Sequence, residues 1–257
     1  MIPKVIHYCW FGNGEKSDLE LKCINSWKKY CPDYKIIEWN ESNIDLSGNL
    51  FSKQAYDAKK WGFVPDYWRL WIIYNHGGIY LDTDVEIIKS FDSLLKLDAF
   101  AGFEDNSHVA LGLGFGAKKG NPVIKDIMQP YETIKFILDD GSMNLTPSPL
   151  YNTLVLEDKY KLAPCNGSIQ KLDGITIFPK EYFCPMNHDT GKIKKTKKTY
   201  SIHHFEGTWC DKTGSLRRNY YRNMLNNILH FPHRILLKII GDKKYKLLKS
   251  KKQNEKR

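Results

Sequence analysis

The stretch Gly77-Gly78-Ile79-Tyr80-Leu81-Asp82-Thr83-Asp84 constrains this chain more than any other. Two glycines end whatever precedes them, three apolar residues follow, and two carboxylates close the run. It reads as a short buried strand that delivers Asp82 and Asp84 to its carboxyl end. At i and i+2 on an extended backbone, both side chains point the same way. Two neighbouring carboxylates repel unless a cation sits between them or one takes a proton. Hard oxygen donors at a strand end suit Mg²⁺ or Mn²⁺, ions that usually also bind a substrate phosphate.

The flanking segments predict an α/β fold. Residues 3–10 read as a first strand and Phe11-Gly12-Asn13-Gly14 as a turn. Ser17 and Glu20 form a capping box that opens a helix to about residue 30, ended by Pro32-Asp33. A second strand follows over 34–39, then a helix over 52–61. Pro65 suits a first helical turn and Gly77 a helix end, so 66–75 is a helix between them. Further strands are expected over 79–81, 99–103, 109–117, 176–178 and 200–205. Helices are expected over 121–138 and 146–156.

Charge divides the chain. Its net charge is +10 over 257 residues. Residues 217–257 hold 13 Lys/Arg against two acids, and residues 1–216 hold 26 basic against 27 acidic side chains. The expected organisation is a near-neutral catalytic domain over 1–216 and a basic helical tail over 217–257. Ile228, Leu229, Phe231, Ile235, Leu236, Ile239 and Ile240 alternate in the tail with basic residues, as in an interfacial amphipathic helix at an anionic membrane. No run approaches the ~20 apolar residues of a spanning helix, and the N-terminus lacks a signal-peptide pattern. A cytoplasmic protein is expected, its tail either peripheral on the inner membrane face or packed as a helical pair on the domain. Six cysteines form no Cys-x-x-Cys pair, which argues against a zinc or redox motif.

Asp82-x-Asp84 alone admits three readings: a solvated pair, a metal-dependent phosphatase, or a metal-dependent nucleotide-sugar transferase. The phosphatase motif wants Thr or Val two residues after the second Asp, where this chain has Glu86. A non-enzymatic membrane- or nucleic-acid-binding protein built on the tail is a further alternative. The near-neutral body argues against nucleic acid.

Asp66-Tyr67-Trp68-Arg69-Leu70 together with the Gly-Gly-to-Asp84 stretch resembles the sugar-binding region of glycosyltransferase family 32. That family includes bacterial capsule and lipopolysaccharide transferases and the Och1-like mannosyltransferases, and is distantly similar to the clostridial glucosylating toxins. The strong resemblance covers 63–88, with weaker likeness at 2–12 and at His203-His204-Phe205-Glu206-Gly207-Thr208-Trp209. It implies a GT-A-type nucleotide-sugar-binding fold with a mixed central sheet, and a retaining enzyme. Carried over residue by residue, Trp10 would stack on the nucleobase and Asp66 and Arg69 would orient ribose and donor sugar. Asp82 would contact sugar and metal, and Asp84 would be the principal metal ligand. His204, favoured over His203, would be a further metal ligand, and Trp209 would donate its indole N–H to the diphosphate. The implied cofactor is Mn²⁺ or Mg²⁺. The implied partners are a nucleotide-sugar donor, UDP-sugar favoured, and a glycan or lipid-linked oligosaccharide acceptor. Gly112-Leu113-Gly114-Phe115-Gly116 fits neither a Rossmann turn nor a phosphate loop and reads as a place where backbone approaches ligand closely.

Overall fold

The computed structural model describes residues 1–187 and 190–206. Trp209, Cys210 and the basic tail expected over 217–257 lie outside the described residues, as does the division between tail and body.

The chain begins with β1 (Val5–Cys9), α1 (Asp18–Tyr30) and β2 (Lys35–Trp39), the expected strand–helix–strand start. Both halves of the α1 capping box form, Glu20 N donating to Ser17 Oγ and Ser17 N to Glu20 Oε2. Next come α2 (Leu50–Asp57) and α3 (Pro65–His76). Pro65 occupies the first turn of α3, where its missing N–H has no partner to lose. Gly77 ends the helix at φ 68°, and a Cβ there would stand 2.8 Å from Lys119 N. Then follow β3 (Gly78–Tyr80), β4 (Val85–Ile87), β5 (Ala99–Phe103), β6 (Val109–Ala110) and β7 (Phe115–Ala117). The described chain closes with α4 (Pro122–Met128), α5 (Ser148–Tyr160), β8 (Gln170–Leu172), β9 (Ile175–Phe178) and β10 (Ser201–His203).

Among the described residues the main sheet runs β2-β1-β3-β7-β5-β9-β8, with β6 beside β5. Pairing is parallel for β1 with β2, β1 with β3, and β5 with β9, and antiparallel elsewhere. This is the mixed central sheet that the resemblance implies. Successive residues of β3 serve opposite faces, as the strand period requires. Tyr80 joins the apolar cluster of α2–α5, with Phe51, Leu70, Ile73 and Leu154. Ile79 joins the cluster of α1, with Ile6, Trp27 and Phe100.

β4 leaves the main sheet and, among the described residues, pairs with β10 alone, antiparallel, His203 opposite Val85. Helix α1 holds this small sheet down: Trp27 Nε1 donates to Val85 O at 2.7 Å, and Ile87 N donates to Ser26 Oγ. The two carboxylates therefore sit where the chain crosses from one sheet to the other.

Three sequence expectations shift. The strand over 109–117 is two short strands broken by a turn, Gly114 N donating to Leu111 O. The helix expected over 121–138 ends at Met128, because Pro130 cannot continue the hydrogen-bond ladder. The helix expected over 52–61 starts earlier, capped by Asn49, and stops at Asp57. No helix among the described residues is long and apolar enough to cross a membrane.

Candidate active site

A cleft of about 320 Å³ opens beyond the carboxyl ends of β1 and β3. That is where open α/β sheets place their ligands, and the volume suits a small-molecule site. Trp10, Asp66, Arg69, Asp82, Asp84 and His203 all contribute to its wall.

Asp66 and Arg69 lie one turn apart on α3, and both are buried. Arg69 Nη2 stands 3.2 Å from Asp66 Oδ1 and 3.4 Å from Asp82 Oδ1, so one guanidinium joins the helix carboxylate to the motif. Burial works against the Arg69 charge, but Asp82 and Asp66 outweigh it and keep the side chain cationic. Burial pushes the Asp66 carboxyl up to about 6, against the pull of Arg69. Asp82 is also raised, by burial and by the neighbouring Asp84, with Arg69 opposing.

Gly112 makes the bridge sterically possible. A Cβ at this position would fall 2.1 Å from Asp82 Oδ2 and 3.2 Å from Arg69 Nη1. The glycine-rich segment is expected to approach a ligand; at Gly112 the close approach is instead to the Asp82 carboxylate.

Asp82 and Asp84 do not lie on an extended strand. They occupy a turn closed by Val85 N donating to Asp82 O. Both still line the cleft, but their partners differ. Asp84 faces His203, Nε2 to Oδ1 3.2 Å, and its other oxygen accepts the Glu206 backbone N–H at 3.0 Å. Burial alone would raise the Asp84 carboxyl. The His203 charge, its hydrogen bond and the Glu206 N–H outweigh that and hold it at about 2. Burial likewise disfavours charged His203, yet Asp84 raises it overall.

His204 is the expectation that the structure corrects. Its Nε2 pairs with Glu86 Oε2 at 2.8 Å, and it contributes nothing to the cleft. The reason is strand alternation. Antiparallel pairing sets His203 opposite Val85 and turns the next side chain to the Glu86 face, while Asp84, in the turn before β4 and outside the strand alternation, meets His203. His203 already spends Nε2 on Asp84, so it serves as the charge partner of that carboxylate. Its Nδ1 is buried and without a hydrogen-bond partner among the described residues.

Sequence reasoning passed over two groups here. Glu206 reaches Asp84 through its backbone and accepts a hydrogen bond from Ser17 Oγ at 3.1 Å. Glu20, read only as a cap, also lines the cleft. Among the described residues no group of three or more His, Cys, Asp and Glu side chains is arranged to hold a metal ion. Asp82 and Asp84 offer two carboxylates, which suits an ion whose remaining ligands are water and substrate phosphate oxygens.

Residues 17–101 match the family described as "Glycosyltransferase sugar-binding region containing DXD motif". That segment holds Asp66, Arg69, Asp82 and Asp84, so the resemblance read from the motif is borne out over it. Inositol phosphoceramide mannosyltransferase 3 of Schizosaccharomyces pombe is 29% identical over 136 residues, covering 50% of this chain and 36% of that protein. Inositol phosphoceramide mannosyltransferase 1 of the same organism is 28% identical over 110 residues, covering 38% and 33%. The chain thus spans about a third of the length of these curated relatives. Among solved structures, PaToxG Glycosyltransferase is similar at 20% identity and a TM-score of 0.47, covering 62% of this chain and 70% of that one. A glycosyltransferase involved in the glycosylation of the major capsid of PBCV-1 is similar at 12% identity and a TM-score of 0.48, covering 86% and 100%.

Proposed function

We propose that this chain is a retaining glycosyltransferase that moves a sugar from a nucleotide-sugar donor to a hydroxyl of a glycan or lipid-linked acceptor. The observation that carries the reading is the Asp66–Arg69–Asp82 bridge on the cleft wall, inside the segment that matches the sugar-binding family.

In this reading Trp10 presents its ring to the nucleobase. Stacking on a base face is tolerant of base identity. Asp66 and Asp82, held by Arg69, accept hydrogen bonds from ribose and sugar hydroxyls. Arg69 stays paired with both, so their oxygens keep fixed positions as the donor enters. Asp84 and Asp82 would hold Mg²⁺ or Mn²⁺, which would supply positive charge against the departing diphosphate. The acceptor hydroxyl attacks from the face that the leaving group vacates, and no protein nucleophile is assigned.

The acceptor we favour is a precursor of a surface polysaccharide such as capsule or lipopolysaccharide, met at the inner membrane face. The 13 basic residues of 217–257 support that location, since each Lys or Arg near an anionic surface contributes about 1 kcal/mol.

Donor hydrolysis across a panel of nucleotide sugars with Mn²⁺ tests the reading. UDP-sugars lead the panel. GDP-mannose joins it because the curated relatives are named as mannosyltransferases. Release of nucleoside diphosphate from one donor, abolished in Asp84→Asn, is expected. Phosphate release from an aryl phosphate with every sugar donor inert would favour the phosphatase alternative.

A further inference from the structure

Trp10 is held at both its backbone and its ring. Its backbone N donates to Trp39 O at 2.8 Å, and its indole Nε1 donates to Gly14 O at 2.7 Å. The Lys16 ammonium lies 4.9 Å from the centre of the Trp10 ring and 5.8 Å from that of Tyr8. Lys16 in turn is fixed by Glu38, Nζ to Oε2 2.9 Å. The same oxygen accepts the Tyr8 hydroxyl at 2.5 Å, and Asn40 Nδ2 donates to Oε1 at 3.0 Å. Only 19% of the Lys16 side chain is exposed. Trp10 lines the cleft, whereas Lys16 and Glu38 do not. The indole thus lines the cleft and carries over its ring an anchored cation that is not part of the cleft wall.

We infer that Lys16 is a positioning residue for nucleobase binding: held by Glu38, it backs the Trp10 ring and presets the plane on which the base stacks. This rests on the reading that Trp10 is the stacking residue. Two physical effects carry it. A cation over an indole face is attracted by the ring quadrupole, which fixes the ring without occupying the cleft. A ring already held in its bound orientation loses little freedom when a ligand arrives, so more of the stacking energy appears as affinity. Neither effect involves the reacting atoms, so the consequence falls on donor affinity and not on turnover.

The experiment is a double-mutant cycle on the full chain, with UDP and GDP as probes and binding measured by calorimetry. Trp10→Ala, Lys16→Met and the double variant are compared with the wild type, and Lys16→Arg serves as the conservative replacement. Expected are about three- to ten-fold weaker binding in Lys16→Met, near-wild-type binding in Lys16→Arg, and no further loss when Lys16→Met is added to Trp10→Ala. With the donor identified, Lys16→Met raises KM and leaves kcat in place. If Trp10→Ala binds both nucleotides as the wild type does, the stacking reading itself fails. If Trp10→Ala weakens binding but Lys16→Met does not, the backing role is overturned while stacking stands. Equal loss from Lys16→Met with and without Trp10 also overturns it, because Lys16 would then touch the nucleotide directly.

Discussion

The Arg69 guanidinium lies 3.4 Å from the Asp82 carboxylate while holding Asp66 at 3.2 Å with the same nitrogen. Only 7% of the Arg69 side chain is exposed, so this cation has no solvent to replace its partners. Removing it strands the buried Asp66 carboxylate, and breaking a buried pair from one side costs about 3–5 kcal/mol. Arg69→Met is expected to lower unfolding free energy by about 3 kcal/mol and to abolish donor turnover. Asp66→Asn is expected to be the milder change in stability, since burial already pushes that carboxyl up to about 6. Urea denaturation of both variants checks the order, and equal stability losses would contradict the bridge.

Gly112→Ala isolates the geometry of Asp82 from its chemistry. The added Cβ would fall 2.1 Å from Asp82 Oδ2, so the carboxylate must leave its place beside Arg69. No charge changes, and the Gly112 backbone is in a conformation open to alanine. Misplacement of a reacting-site group by about 1 Å can cost on the order of 100-fold in rate. A loss of about that size in donor turnover is expected, with a lowered melting temperature, because the overlap costs about 1–3 kcal/mol and loosens the Arg69–Asp82 pair. Full activity would mean that Asp82 works from another position.

What the sequence made legible was local. Ser17 with Glu20, Pro65 and Gly77 each act within a turn of backbone, and each ends or begins an element as read. Asp66 and Arg69 are one helical turn apart, so their shared face follows from spacing alone. The link from Arg69 to Asp82 does not, because it depends on the fold-back at Gly77-Gly78 and on the glycine at 112. Pro130 was a local signal too, but the apolar run around it masked it. The choice between His203 and His204 rests on the register between β4 and β10, more than 100 residues apart, and on the turn that takes Asp84 out of the strand, neither of which alternation along the chain reveals.

That choice yields a paired test. His203 stands 3.2 Å from Asp84 inside the cleft, whereas His204 pairs with Glu86 outside it. Without the imidazole, Asp84 loses the partner that most lowers its carboxyl. His203→Asn is expected to reduce donor turnover by on the order of 10-fold or more, a loss of at least about 1.4 kcal/mol of transition-state stabilisation. His204→Asn is expected to stay within about two-fold of the wild type, because neither it nor its partner Glu86 lines the cleft. Steady-state kinetics on the two variants decides it, and the reverse order would return His204 to the site.

His7 predicts a pH dependence of stability that has nothing to do with the cleft. It is 2% exposed, Trp39 Nε1 donates to its Nδ1 at 3.0 Å, and its Nε2 lies 3.1 Å from Gly77 O. An Nδ1 that accepts leaves the proton on Nε2, so the ring is neutral and donates to Gly77. A second proton would point Nδ1–H at the indole N–H. Burial holds the imidazole down at about 4, with the Gly77 carbonyl opposing and the His76 and Lys35 charges assisting. An unfolded histidine titrates near 6.5. Between those values the unfolded chain binds more protons than the folded one, so stability rises with pH. The contribution is complete above about pH 6.5, is lost as pH falls toward 4, and reaches about 3 kcal/mol at most. Asp66 works in the opposite direction, because its folded value of about 6 exceeds the unfolded one and its contribution disappears as pH rises. Comparison with His7→Gln removes that background, since glutamine can still accept from Trp39 and donate to Gly77. Urea unfolding from pH 4 to 7 is expected to give a steeper rise for the wild type than for the variant, and parallel curves would show that His7 is not buried neutral.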